Sequence, residues 1–199
     1  QDEPVGARRR VGQRGERDGP AQHIALDDRA EVQVGDDEGA HAMRHHRGMD
    51  SLRGKLLIAS PAIVDPHFRQ TVVLLAEHTE DGAMGVVLNR EADVTVGEAV
   101  PGLAYLAGGD DVVVHVGGPV SANAVTVLAQ FADPERAALL IDADVGFVPA
   151  EAADGEDLSD AVVRSRVFAG HAGWGAGQLE AEMEEESWIV EDLHREDLF

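Results

Sequence analysis

The chain has 199 residues, 44% hydrophobic and 27% charged, a globular balance with length for one domain of ordinary size. A formal net charge of −22 opposes phosphate backbones and anionic bilayers alike, so direct nucleic-acid binding and membrane association are disfavoured. The absence of cysteine removes disulfides, thiolate nucleophiles and cysteine-ligated metals, and no apolar run approaches the ~18 residues of a membrane helix.

Residues 1–48 stand apart. They contain no aromatic residue and a single leucine, Leu26, and cannot bury enough apolar surface to offset the entropy of ordering them. They read as a disordered tail. Arginine is used 15 times and lysine once, at Lys55, and hydrophobic periodicity starts at Met49, which reads as the natural start, with the preceding stretch as upstream sequence read through. Residues 1–50 carry 8 arginines against 11 acids, net −3, and the remainder carries 8 cations against 27 acids, net −19. The acidity therefore belongs to the domain expected over 49–199.

Within that domain, "KLLIAS" (55–60) predicts a strand stopped by Pro61, and "IVDPHFRQ" (63–70) a loop in which Pro66 biases Asp65 to extended geometry. "TVVLLAEH" (71–78) and "GVVLN" (85–89) predict a hairpin turning at Asp81-Gly82. A short helix is expected over 94–103, then strands at 112–118, 124–131 and 137–144. "EDLSDAVVRS" predicts a helix over 156–165, followed by a strand at 166–170 and a glycine-rich turn, "GHAGWGAG". "GQLEAEMEEE" (177–186) predicts a helix with Ala176, Leu179 and Met183 on one stripe and most glutamates off it, and "SWIV" (187–190) closes as a strand. Strands dominate and regular βαβ alternation is missing. The fold class is α+β: one compact domain with a large mixed or antiparallel sheet and a few flanking helices. "HREDLF" ends on an apolar residue, and the C-terminus is expected to be truncated.

Chemical signatures are sparse. His41, His45 and His46 have helical metal spacing but no helix signal around them, and no metal or cofactor site is assigned. "GHAGWGAG" lacks the lysine and spacing of a phosphate loop. Its glycines suit a tight crossing of strand and helix. Asp65, His67, Glu77, His78, His115 and His171 are the acid–base candidates, with Ser60 and Ser121 the nearest hydroxyls, but no nucleophile motif joins them and no catalytic residue is assigned.

Three separated segments, "GKLLIASPAIVDPHFRQTVVLLAEHTEDGAMGVVLNR" (54–90), "VHVGGPVSANA" (114–124) and "RVFAGHAGWGAGQLEAEMEEESWIV" (166–190), occur in the order that resembles the AlgH/YqgE family of bacterial proteins. The resemblance implies a single α+β domain with a large sheet, a cytoplasmic location and a regulatory role connected with transcription. His171 stands where that family often carries tyrosine, and the family pattern continues past Phe199. The leading expectation is a regulatory or binding protein acting through an unknown protein or small-molecule partner. The expected interaction site gathers Asp65, Pro66, His67, Phe68, Glu77, His78, Asn89, Arg90, Gly173 and Trp174 on one side of the sheet, with Asp65 and Arg90 alternatively stapling a loop to the hairpin. A hydrolase-like enzyme would use Asp65, His67, Glu77 or His78, given a His and a carboxylate meeting in a concave pocket. A DNA-binding regulator would need Arg53, Lys55, Arg69 and Arg90 on one face.

Overall fold

The computed structural model describes residues 51–149, 152 and 157–199. The expected tail, the start at Met49 and the His41, His45 and His46 cluster lie outside the described residues. Consecutive apolar positions in the first segments would expose half their side chains in a one-sided sheet, and the fold buries them on both faces. Strands β1 (Lys55–Ala59), β2 (Val72–Thr79) and β3 (Gly82–Val87) pair antiparallel. Leu56, Leu74 and Val86 share one register row and face one core cluster; Leu57, Val73 and Val87 share the next row and face another. The α+β expectation holds: ten strands form one sheet in the order β10-β1-β2-β3-β9-β6-β8-β7, with β4 and β5 attached through β9.

The remaining strands are β4 (Glu91–Thr95), β5 (Val113–Val116), β6 (Val120–Phe131), β7 (Leu139–Asp142), β8 (Val145–Phe147), β9 (Val162–Gly175) and β10 (Trp188–Asp192). Among the described residues, every strand pairing is antiparallel except β5 with β9. Helices are short. Helix α1 (Val96–Ala99) begins in a capping box, in which Thr95 and Glu98 bond each other's backbone amides. It is followed by α2 (Ala104–Ala107) and, after β9, by α3 (Gln178–Glu184). No helix among the described residues is long and apolar enough to cross a membrane.

Two expectations need correction. Among the described residues 157–165, the helix predicted over 156–165 does not form. Leu158 and Ala161 are buried, but their helix-like spacing closes only one turn, with the amides of Ala161 and Val162 both donating to the Leu158 carbonyl (3.0 Å each). From Val162 onward the β-branched pair Val162-Val163 joins β9, and pairing with β6 overrides the local pattern. The stretch "GHAGWGAG" is likewise strand rather than turn through Gly175. Its glycines serve a close backbone approach: at Gly170 (φ +70°) an added Cβ would lie 2.5 Å from the Gly118 carbonyl oxygen, and at Gly118 (φ +151°) one would lie 2.2 Å from the His171 carbonyl carbon.

Candidate functional site

On one face of the sheet, the loop before β2 folds Phe68 over the two tryptophans. Phe68 stacks on Trp174 (centroids 6.0 Å apart), and both Phe68 and Trp174 meet Trp188 edge-on at 5.8 Å. Burying two indoles strands two N–H donors unless an acceptor follows them in. Glu182 on α3 is that acceptor: one carboxylate oxygen takes both Trp174 Nε1–H (2.9 Å) and Trp188 Nε1–H (2.8 Å), and the other takes the Gln178 amide (2.9 Å). One glutamate of the acidic run is thus a core ligand for the aromatic cluster, while Glu184, Glu185 and Glu186 are exposed.

The ten expected site residues divide. Asn89 and Arg90 lie beyond β3 against the loop before β2. Asn89 accepts from the Val72 amide (3.0 Å) and donates to the Gln70 carbonyl (2.9 Å), and Arg90 donates to the Arg69 carbonyl (3.1 Å). Stapling is therefore performed by Asn89, and Arg90 adds to it through a backbone carbonyl. Asp65 turns back on its own loop, accepting from the His67 amide (2.7 Å), and Asp65, Pro66 and His67 are exposed. Glu77 and His78 sit at the far end of β2, six residues beyond Val72 for His78, about 20 Å at the rise of a strand. Trp174 and Gly173 lie in the register rows of Ala83–His78 and Met84–Glu77. Phe68 is the contact that ties the loop to Trp174.

A His–carboxylate pair exists, but it is not poised as a base. His78 Nε2 lies 2.9 Å from Glu180 Oε1, and His78 Nδ1 accepts from the Leu52 amide (2.9 Å), which assigns the remaining ring proton to Nε2. With its side chain 5% exposed and both nitrogens occupied, His78 anchors the strand entry to α3. Glu180 is held below its ordinary value first by its own backbone amide and then by His78. The four cations of the DNA reading do not gather. Arg53 donates to the Leu140 carbonyl and Lys55 pairs with Asp192, whereas Arg69 and Arg90 lie beyond the opposite end of β2.

A cleft lies on the other face, and the sheet itself assembles it. Cross-strand pairing puts Glu91 of β4 opposite His115 of β5, and His115 opposite Phe168 of β9. Arg166, two residues before Phe168, shares its face. Leu56 and Ile58 of β1, Val72 of β2 and Leu88 supply an apolar floor, and Asn89 and Asp197 complete a cleft of about 670 Å³. The short C-terminal turn that carries Asp197 is held by Leu198, fully buried, and by Phe199, over which Arg164 stacks at 4.7 Å.

The cleft's charges are partly desolvated. Arg166 donates to the Leu88 carbonyl (3.1 Å), its one side-chain hydrogen bond among the described residues. Burial pulls its guanidinium below the ordinary value and Glu91 pulls it back up. His115 Nδ1 is buried without a hydrogen-bond partner. Burial, then the Arg166 charge, holds the imidazole below its ordinary value, with Glu91 and the Val113 backbone opposing. A neutral imidazole beside a guanidinium with unused donors can receive an oxyanion. Sequence reasoning reached Asn89 and His115 but missed Arg166 and Glu91, because only the β4–β5–β9 pairing brings them to one place.

The AlgH-like family model (DUF179) matches residues 56–199. A UPF0301 protein of Streptomyces coelicolor is 47% identical over 148 residues, covering 71% of this chain and 76% of its own length. One of Chlorobaculum tepidum is 40% identical over 155 residues, covering 73% and 78%. Among solved structures, a Corynebacterium diphtheriae protein matches with a TM-score of 0.67 at 28% identity, covering 76% of this chain and 80% of that one. The solution structure of AlgH from Pseudomonas aeruginosa matches with a TM-score of 0.58 at 31% identity, covering 75% and 81%. Sequence, model and structure agree, and the chain belongs to the AlgH-like family.

Proposed function

We propose that this protein is a cytoplasmic, non-catalytic ligand-binding protein, and that any influence on transcription is exerted indirectly, through a small molecule held in the cleft between β1–β2 and β5–β9. One observation carries the reading: Arg166 is half-buried in the lining of a 670 Å³ cleft, and among the described residues its side chain has a single acceptor, a backbone carbonyl, which leaves donors for a ligand. A guanidinium kept this way is a poor contributor to stability unless something completes its shell. Against an enzyme stands the engagement of His78 on both nitrogens. Against direct DNA binding stand the dispersal of Arg53, Lys55, Arg69 and Arg90 and the net charge of −22.

The test is a thermal-shift screen of the full chain against a panel of common metabolites, repeated with Arg166→Met. A cleft ligand at a hundredfold excess over its Kd stabilises by about 2.7 kcal/mol, which moves the Tm of a domain this size by several degrees. The expected result is at least one stabilising compound whose effect disappears in the variant. Stabilising compounds that ignore Arg166→Met would place binding elsewhere and overturn the reading.

A further inference from the structure

Resting on the cleft as a ligand site, the geometry points to the class of ligand: we infer that it takes an amino-acid zwitterion with an apolar side chain, the carboxylate on Arg166 and the ammonium on Glu91. Three features of the lining converge on this. The charges are of both signs, with Arg166 and the neutral-favoured His115 set against the exposed carboxylates Glu91 and Asp197. Arg166 and Glu91 both line the cleft and form no direct ion pair with each other, so a molecule seated there can meet both. The floor beside them is hydrocarbon, from Leu56, Ile58, Val72 and Leu88.

Other ligand classes leave something unmet. A phosphate or dicarboxylate would bring its second charge against Glu91 and Asp197. A simple amine would sit beside the Arg166 guanidinium. A neutral apolar molecule would cover the Arg166 donors and the His115 ring without satisfying them, which is the costly arrangement for buried polar groups. A zwitterion matches each sign locally and adds no net charge to a cleft that has no spare cation. Arg166 suits the carboxylate because its planar fork can hold both oxygens at once. The cleft volume of 670 Å³ accommodates a leucine- or phenylalanine-sized side chain together with water or a second residue, so a free amino acid and an apolar dipeptide, which carries the same two charges farther apart, both fit.

Isothermal titration calorimetry on the full chain at pH 7 tests this with five probes: L-leucine, leucyl-leucine, 4-methylpentanoate (the carboxylate alone), 3-methylbutylamine (the ammonium alone) and inorganic phosphate. L-Leucine or leucyl-leucine should bind at least tenfold tighter than either half-molecule, and the tighter of the two identifies the source. Arg166→Met should abolish binding of leucine and of 4-methylpentanoate, while Arg166→Lys, which keeps the charge, should retain weakened binding. Glu91→Gln, at an exposed position, should weaken leucine at least tenfold and leave 4-methylpentanoate no weaker. Wild-type binding of 4-methylpentanoate, the amine or phosphate as tight as leucine overturns the zwitterion while leaving the cleft as a ligand site. Binding by none of the five also overturns it, and the metabolite screen with Arg166→Met then judges the cleft independently.

Discussion

Removing the Glu182 carboxylate should loosen the aromatic cluster more than any other single change among the α3 glutamates. Trp174 and Trp188 are 6% and 5% exposed, so their indole N–H groups have little water to fall back on. Both donate to one oxygen of Glu182, at 2.9 and 2.8 Å. A hydrogen bond to a charged acceptor contributes about 1.5–3 kcal/mol, and a stranded buried donor costs about 1–3 kcal/mol. Two such donors would give up to about 6 kcal/mol. Glu182 is only half-buried, and water entering its place recovers part of this. The expected loss for Glu182→Ala is therefore about 2–4 kcal/mol, and for Glu182→Gln, which keeps one acceptor oxygen, about 1 kcal/mol.

Urea unfolding followed by tryptophan fluorescence measures this directly, because both reporters sit in the perturbed cluster. The midpoint should fall without a change in slope, since the surface exposed on unfolding is nearly the same. Glu184→Ala is the control: the residue is exposed, removes a like charge four residues from Glu180, and should change stability by no more than about 0.5 kcal/mol. If Glu182→Ala and Glu184→Ala were equal within that margin, the indole bonds would be incidental and the account of the cluster wrong.

Three other outcomes follow from the same geometry. Asn89→Ala should cost about 1–2 kcal/mol because it releases both the Val72 amide and the Gln70 carbonyl, whereas Arg90→Ala should stay within about 0.5 kcal/mol; denaturation curves that reverse the order would reassign the staple. Gly170→Ala should destabilise by at least about 2 kcal/mol through overpacking against the Gly118 carbonyl, while Gly177→Ala, also at positive φ but facing open space, should cost only the ~1–2 kcal/mol of a left-handed non-glycine residue; equal losses would show that clash plays no part. Burial holds His115 and His171 below the ordinary value of 6.5, so below that pH the unfolded chain binds more protons and stability falls as pH drops through the folded values. The double variant His115→Gln/His171→Gln should lose less stability than the wild type between pH 7 and 5, and parallel curves would refute the burial argument.

Many of the strands were legible because they announce themselves by composition. "KLLIA", "VVLLA" and "GVVL" are short runs apolar at consecutive positions, which suit a sheet buried on both faces; the first two formed strands within a residue of the expected bounds, whereas the third begins at Gly82, three residues before the expected start, and ends at Val87. The miss at 156–165 has a definite cause. Leu158 and Ala161 satisfy helical spacing and do make one turn, but the valines that follow pack better against β6 than around a helix axis, and tertiary pairing decided. The glycines of "GHAGWGAG" suggest freedom to turn. Gly170 instead removes a side chain where the Gly118 backbone passes, a demand that comes from a segment 52 positions earlier and leaves no local trace.

The sites divide by the same criterion of distance along the chain. The aromatic cluster was half-visible: Trp174, Glu182 and Trp188 lie within fifteen residues, but nothing in an acidic run marks which glutamate turns inward until α3 fixes Leu179 and Met183 against the sheet. The cleft could not be seen at all as a unit. Its polar members are Asn89, Glu91, His115, Arg166 and Asp197, and β5 brings its share to them by joining β9 in parallel. That parallel step brings the Glu91–His115 pair alongside β9, facing the floor of β1 and β2. A register shift of one residue in β5 would turn His115 to the opposite face. The cleft in this fold therefore depends less on a motif than on the register of β5 against β9, and the Gly117 amide, which donates to the Ala169 carbonyl at 2.8 Å, is among the bonds that hold it.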